Sequence, residues 1–184
     1  MNNVISVLSH NNIINKYGNI SETAVTNIDV HDIARTTRTY GLKEYAIITR
    51  LKSQKVLLDD ILRFWVEEKG GEINPDRKEA LSRVRHYSIF RDLTEKYPNH
   101  KIIITDASRH EKSTSYKDMS KIIKDNPDNM YLLVFGTGWG LDPLMIDKAD
   151  YILPPIGTPE DYNHLSVRAA AAIIIDRLAQ KSRS

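Results

Sequence analysis

Three stretches of the sequence carry residues whose types and spacing suit ligand chemistry. In residues 132–141 (LLVFGTGWGL) an apolar run enters a turn containing Gly136, Gly138 and Gly140. Glycine permits positive φ and lets a ligand approach the main chain closely. In an α/β sheet such a turn lies at the carboxyl end of a strand, where ligands usually bind. The spacing is neither GxGxxG nor that of a P-loop, which needs Lys followed by Ser or Thr. A ligand cradle and a tight strand-to-helix turn both explain it. The second stretch is 151–168 (YILPPIGTPEDYNHLSVR); four of the seven prolines fall between Pro143 and Pro159. Proline stiffens the chain and keeps it out of a helix interior. An apolar helix begins just behind, with Asn163, His164 and Ser166 at its start. Free N–H groups there suit an oxygen-rich ligand, or are simply capped by Asn163 or Ser166. In the third stretch, 27–41 (NIDVHDIARTTRTYG), His31, Arg35 and Arg38 share one helical face. Guanidinium forks pair with phosphate oxygens; the plainer reading is a solvated face paired with nearby acids. Two further basic clusters (Arg77, Lys78, Arg83, Arg85 and Arg91; Arg109, His110 and Lys112) could meet a nucleic-acid backbone or plain solvent.

Other chemistries find no residues to support them. The chain has no cysteine, which excludes thiolate metal sites, disulfides and cysteine nucleophiles. GxSxG and HExxH do not occur, and the six histidines are scattered, so no zinc site is expected. With 41% apolar and 27% charged residues, the 184-residue chain reads as one globular domain over 1–184. The longest apolar run, 169–175, is too short to span a membrane, and from residues 1–4, with no basic or long apolar stretch, no secretory leader is expected. A cytoplasmic protein is expected. The net charge of +2 neither demands nor forbids a nucleic-acid partner.

These residues need elements to hold them. Strand-length apolar runs fall at 4–8, 45–49, 101–105, 130–135 and 151–153. The third and fourth are almost continuously apolar, as in a parallel sheet covered on both faces. Helical patterns fill the intervals. One starts at an Asp29 N-cap and stops at Gly41; one carries Leu57, Leu58, Ile61, Leu62, Trp65 and Val66 and stops at Gly70-Gly71. Others cover 76–86, 88–97, a stretch around Tyr116 to Ile123, and about 164–180. The expected fold is α/β: a mostly parallel sheet flanked by helices.

Together the three stretches resemble the motifs of SPOUT-class, AdoMet-dependent RNA methyltransferases. Residues 27–41 resemble the first motif, FGTGWGL (135–141) the second, and LPPIGTPEDYNHLSVRAAAAI (153–173) the third. More narrowly, TNIDVHDIARTTRTYG, FGTGWGL and DYNHLSVR resemble a small bacterial subfamily that occurs alone or fused behind a tRNA guanine-N1 methyltransferase. The resemblance implies a deep C-terminal trefoil knot, S-adenosyl-L-methionine (AdoMet) as cofactor, tRNA or rRNA as substrate, and a homodimer. It also implies three cofactor loops: Thr105, Asp106 and Ala107; Phe135, Gly136, Thr137, Gly138, Gly140 and Leu141; and Leu153, Ile156, Asn163, Leu165, Ser166 and Ala170. Arg35 matches the functional arginine of the ribose-methylating branch. That branch's glutamate in the second motif is absent, and Ser166 stands where it carries asparagine, so ribose and base remain open as acceptors. The expected roles are Arg35 for positioning the acceptor, Asn27 for orienting it, and His31, Arg38 and His164 for RNA contact; Arg168 reads as structural. A non-catalytic AdoMet- or RNA-binding module, or another nucleotide-binding α/β enzyme, would use the same residues.

Overall fold

Alternation along the apolar runs decides the architecture. In the strand Val4–Ser9 (β1), Val4 and Leu8 face one way while Ile5 and Val7 face the other, and all four are buried. A strand buried on both sides must lie inside a sheet with helices on each face. The computed structural model, which describes residues 1–157 and 164–180, has this arrangement.

After β1 the chain forms a small hairpin, Ile13–Ile14 (β2) with Ile20–Ser21 (β3), then the helix Asn27–Thr39 (α1) and the strand Glu44–Ile48 (β4). Lys52–Leu62 (α2) runs into a π-helical turn at Arg63–Glu67, followed by Gly70–Ile73 (α3) and Pro75–Leu81 (α4). Val84–Tyr87 (β5), Phe90–Lys96 (α5), His100–Thr105 (β6), Tyr116–Asp125 (α6) and Met130–Phe135 (β7) follow, then Pro143–Ile146 (α7), Tyr151–Leu153 (β8) and Val167–Ala179 (α8). Six strands form one sheet in the order β5-β4-β1-β7-β6-β8, and every pairing in it is parallel. Strand order therefore reverses where β1 meets β7. One face packs against α1, α2, α4, α6 and α8 through Val30, Ile33, Leu58, Leu81, Met119, Ile123, Ile174 and Leu178. The other is covered by the hairpin's Ile13, by Leu93 of α5 and by Met145 and Ile146 of α7. Ile103 of β6 is fully buried on the first face. Ile103→Ala is expected to cost about 2–5 kcal/mol, seen as a lower urea midpoint with an unchanged slope.

Three sequence expectations are corrected. The helix expected over 76–86 stops at Leu81, and residues 84–87 form β5. This is an edge strand buried only at Val84 and Tyr87, with Arg85 exposed, and charge at an edge hinders pairing with another sheet. The expected Asp29 cap is not the cap. Thr26 caps α1, accepting from the Asp29 N–H at 3.3 Å and donating to the Asp29 carboxylate at 2.6 Å. Asp29 therefore sits inside the first turn, where the helix dipole favours a negative charge. The last helix begins at Val167, capped by Ser166, rather than at residue 164.

Polar bonds fix α1 against its neighbours. The Ser6 hydroxyl of β1 meets the Thr37 hydroxyl at 2.7 Å. The Tyr40 hydroxyl donates to Asp176 of α8 at 2.9 Å. Arg168 of α8 reaches Asp29 at 3.3 Å and Asp32 at 3.7 Å.

Candidate functional site

The carboxyl ends of β1, β7, β6 and β8 open onto one cavity of about 740 Å³ at the reversal of strand order, the usual place for a ligand in an open α/β sheet and a usual size for one. The loop after β6 contributes Thr105, Asp106, Ala107 and Ser108; the loop after β7 contributes Phe135, Gly136, Thr137, Gly138, Trp139 and Gly140. Pro154 and Ile156 follow β8, and His164, Leu165, Ser166, Val167, Arg168 and Ala170 lead into α8. The remaining wall, from the β1 side, is His10, Thr23, Ala24, Thr26 and Asp29.

Packing accounts for two of the turn's glycines, Gly136 and Gly138. Gly138 has φ +59°, and a Cβ there would meet Ile13 Cγ2 at 2.9 Å and the Ile14 carbonyl at 3.2 Å. Ile14 also binds the turn, donating to the Gly140 carbonyl at 2.9 Å and accepting from the Trp139 N–H at 3.0 Å. A Cβ on Gly136 would meet Leu141 Cγ at 2.9 Å. The hairpin after β1 thus holds the turn in place, and the ligand meets a preformed wall.

Most residues expected at the cofactor line this cavity. Leu141 and Leu153 do not; both are buried in the apolar core on opposite faces of the sheet. Asn163 lies outside the described residues. Arg35 is exposed, with no hydrogen bond or ion pair among the described residues, in a shallow groove between α1 and α8. Ser166 and Arg168 line both that groove and the main cavity, so the two adjoin. Asn27 is exposed at the first helical position and lines neither. The basic stripe is split. Arg38 Nε donates to Glu79 at 2.6 Å, and His31 stacks edge-on against Trp65 with centroids 5.6 Å apart. Arg83 and Arg85 donate to backbone carbonyls, and His110 pairs with Asp106 at 2.7 Å.

Residues that the sequence did not single out complete the site: His10, Thr23, Asp29 and Trp139. His10 and Asp29 are buried, while Trp139 is 69% exposed at the rim. Burial pushes the His10 imidazole down to about 4, against the opposing pull of the Asp29 carboxylate. A ring depressed in the folded state contributes stability above the ordinary histidine pKa and loses it as pH falls through the folded value. Between pH 6.5 and about 4 the wild type is expected to lose about 3 kcal/mol that His10→Gln does not lose, at roughly 1.4 kcal/mol per pH unit. Urea titrations of both proteins across that range measure the difference.

Solved structures share this architecture. The Aquifex aeolicus TrmH/SpoU tRNA modifying enzyme matches with TM-score 0.61 at 13% identity, over 97% of this chain and 75% of that one. The SpoU methyltransferase AviRb from Streptomyces viridochromogenes, solved with AdoMet, matches with TM-score 0.56 at 11% identity, over 95% of this chain and 56% of that one. The parallel sheet and its helices are thus similar in fold to SPOUT-type methyltransferases. Residues 3–180 match the family of SAM-dependent RNA methyltransferases, and the chain belongs to it. A tRNA (guanine-N(1)-)-methyltransferase of Oleidesulfovibrio alaskensis is 37% identical over 180 residues; the match takes in 96% of this chain but 42% of that protein. An uncharacterized protein of Aquifex aeolicus is 36% identical over 186 residues, 98% of this chain and 90% of its own. AdoMet is the cofactor of this family. The cavity suits it: Ile156, Leu165, Val167 and Ala170 offer apolar contact for a purine ring, and Asp106 brings a carboxylate to a cationic ligand.

Proposed function

We propose that residues 1–184 form a single catalytic domain that methylates structured RNA, tRNA or rRNA, with AdoMet held in the 740 Å³ cavity. The observation that carries this reading is the convergence of the loops after β6, β7 and β8 on one cavity at the strand reversal. The tRNA (guanine-N(1)-)-methyltransferase relative supports tRNA as substrate and a base nitrogen as acceptor. The SPOUT likeness supports a trefoil knot at the C-terminal end and a homodimer. The bacterial RNA-modifying relative also supports a cytoplasmic place of work.

Bound AdoMet supplies an electrophilic methyl on a sulfonium, so the protein's main task is alignment. The backbone of 105–107 and 135–140, with Ile156, Leu165, Ser166 and Ala170, would hold the nucleoside. Asp106 favours its positive charge. Arg35, with no ion pair among the described residues, places an RNA phosphate from beside the cavity mouth; Asn27 and His164 contact the RNA nearby. Arg168 holds α8 to α1 through Asp29 and Asp32, which keeps Arg35 and the cavity in register. His31 and Arg38 give the RNA a weaker, peripheral contact.

Incubation with methyl-labelled AdoMet and total RNA from cells lacking the gene tests the reading. Label is expected in one RNA species. AdoMet binding with no label in any RNA would leave a non-catalytic AdoMet-binding module, the reading that the absent glutamate favours.

A further inference from the structure

Three buried side-chain polar atoms lack a hydrogen-bond partner among the described residues: Nε2 of His10, Nδ1 of His31 and the Tyr45 hydroxyl. Of the three residues only His10 lines the cavity. An unmatched buried polar atom is costly and rare, and one in the wall of a ligand site points to a ligand group. The hydrogen bonds on the other side of the ring say which kind of group. The Ser9 carbonyl can only accept, and the Thr137 hydroxyl donates to it at 3.2 Å. Thr137 therefore accepts from the Thr23 hydroxyl. Thr23 has then spent its single proton, so it accepts from His10, whose Nδ1 lies 3.0 Å away. The proton is on Nδ1, and Nε2 carries a bare lone pair that meets no partner among the described residues.

The direction of that chain is fixed by a backbone carbonyl, and the residue sits on the β1 side of the cavity. The loops after β6, β7 and β8 form the other side, the one assigned to AdoMet. What remains for the β1 side is the methyl acceptor. We propose that His10 is the proton acceptor of the reaction, its Nε2 taking the hydrogen from the N–H or O–H of the RNA atom that receives the methyl group. This rests on the methyltransferase reading above. In the balanced step, the acceptor atom's electron pair forms the new bond to the methyl carbon. The carbon–sulfur bond breaks with its pair going to sulfur, leaving a neutral thioether, and the acceptor's proton passes to Nε2; the imidazolium gives it up to water after the products leave. Burial, which disfavours the imidazolium, keeps the ring neutral near pH 7. Asp29, the acid nearest in effect, steadies the imidazolium once it forms.

Nitrogen NMR of the full chain labelled with ¹⁵N-histidine tests the ring directly. The expected spectrum at pH 7 shows His10 neutral, protonated on Nδ1, with Nε2 bare. A proton on Nε2 would overturn the proposal. Two variants test the chemistry. His10→Asn keeps an N–H toward Thr23 and puts nothing where Nε2 was; His10→Gln brings an amide oxygen toward that place without basicity. Both are expected to stay folded and to bind S-adenosylhomocysteine within about twofold of wild type by calorimetry, while single-turnover methyl transfer falls ~10²- to 10⁴-fold. Wild-type transfer in either variant overturns the proposal. A wild-type protein that binds no AdoMet and labels no RNA fails the methyltransferase reading instead, whatever tautomer the spectrum shows.

Discussion

Gly138→Val is expected to unseat the turn after β7 and to abolish AdoMet binding. Gly138 sits at φ +59°, where an L side chain is strained and a β-branched one most of all. A Cβ would press on Ile13 Cγ2 at 2.9 Å and the Ile14 carbonyl at 3.2 Å. The second of these is backbone and already engaged, because the Trp139 N–H donates to it. Strain and overpacking together come to about 2–5 kcal/mol. In a chain of this size that lowers Tm by on the order of 10 °C. The turn must move to relieve the contact, and it carries Phe135 to Gly140 of the cavity wall with it. Calorimetry is expected to show AdoMet affinity down more than tenfold at a temperature where the variant is folded. Gly140→Ala is the control: its φ is +113°, but a Cβ there meets open space. That variant bears strain without collision, and a smaller loss is expected. Equal effects from the two would mean that collision with the hairpin is not what fixes the turn.

Arg35→Ala is expected to separate binding from transfer. The side chain is exposed and makes no ion pair among the described residues, so stability changes by less than about 0.5 kcal/mol. It stands in the groove beside the cavity, outside the cofactor wall, so AdoMet affinity stays within about twofold. Loss of a guanidinium that positions phosphate is expected to slow single-turnover methyl transfer ~10²- to 10³-fold. Arg38→Ala makes the contrast, since its guanidinium is engaged with Glu79; an exposed pair of this kind contributes little, and transfer is expected to fall only slightly. If Arg35→Ala lost AdoMet affinity, or Arg38→Ala fell as far in transfer, the assignment of roles along α1 would be reversed.

How much of this was legible in the sequence depended on whether the signal was local. The central strands were, because burial on both faces leaves continuous runs such as 101–105 and 130–135, and the run lengths distinguish strand from helix. Strand β5 was not. Val-Arg-His-Tyr is buried only at its ends, and an edge strand with charge on its exposed face has no strong apolar period. The hairpin strands β2 and β3, two residues each, are too short for any pattern, yet they hold the glycine turn. The cap of α1 was misplaced by three residues because Thr26 and Asp29 are both good caps, and only their reciprocal bonds show which one stands outside the helix.

The cofactor loops were legible for the same local reason: glycine and proline constrain the backbone wherever they occur. The β1 wall was not, because it is made by topology. His10 meets Thr23 across the hairpin, and Thr23 meets Thr137 across the reversal in strand order, 114 residues along the chain. Nothing in Ser-His-Asn-Asn distinguishes a buried histidine from a loop histidine. The stripe of His31, Arg35 and Arg38 erred the other way. Helical spacing put them on one face, but Trp65 and Glu79, from distant elements, take the outer two, and Arg35 stands at the groove with no partner among the described residues.

The central claim is that the cavity between β1 and β8 receives AdoMet, and calorimetric titration of the full chain with AdoMet tests it most directly. One saturable site per chain is expected, weakened more than tenfold by Gly138→Val and left within about twofold by Arg35→Ala. An absence of binding heat at millimolar AdoMet, or binding that Gly138→Val leaves untouched, would contradict it.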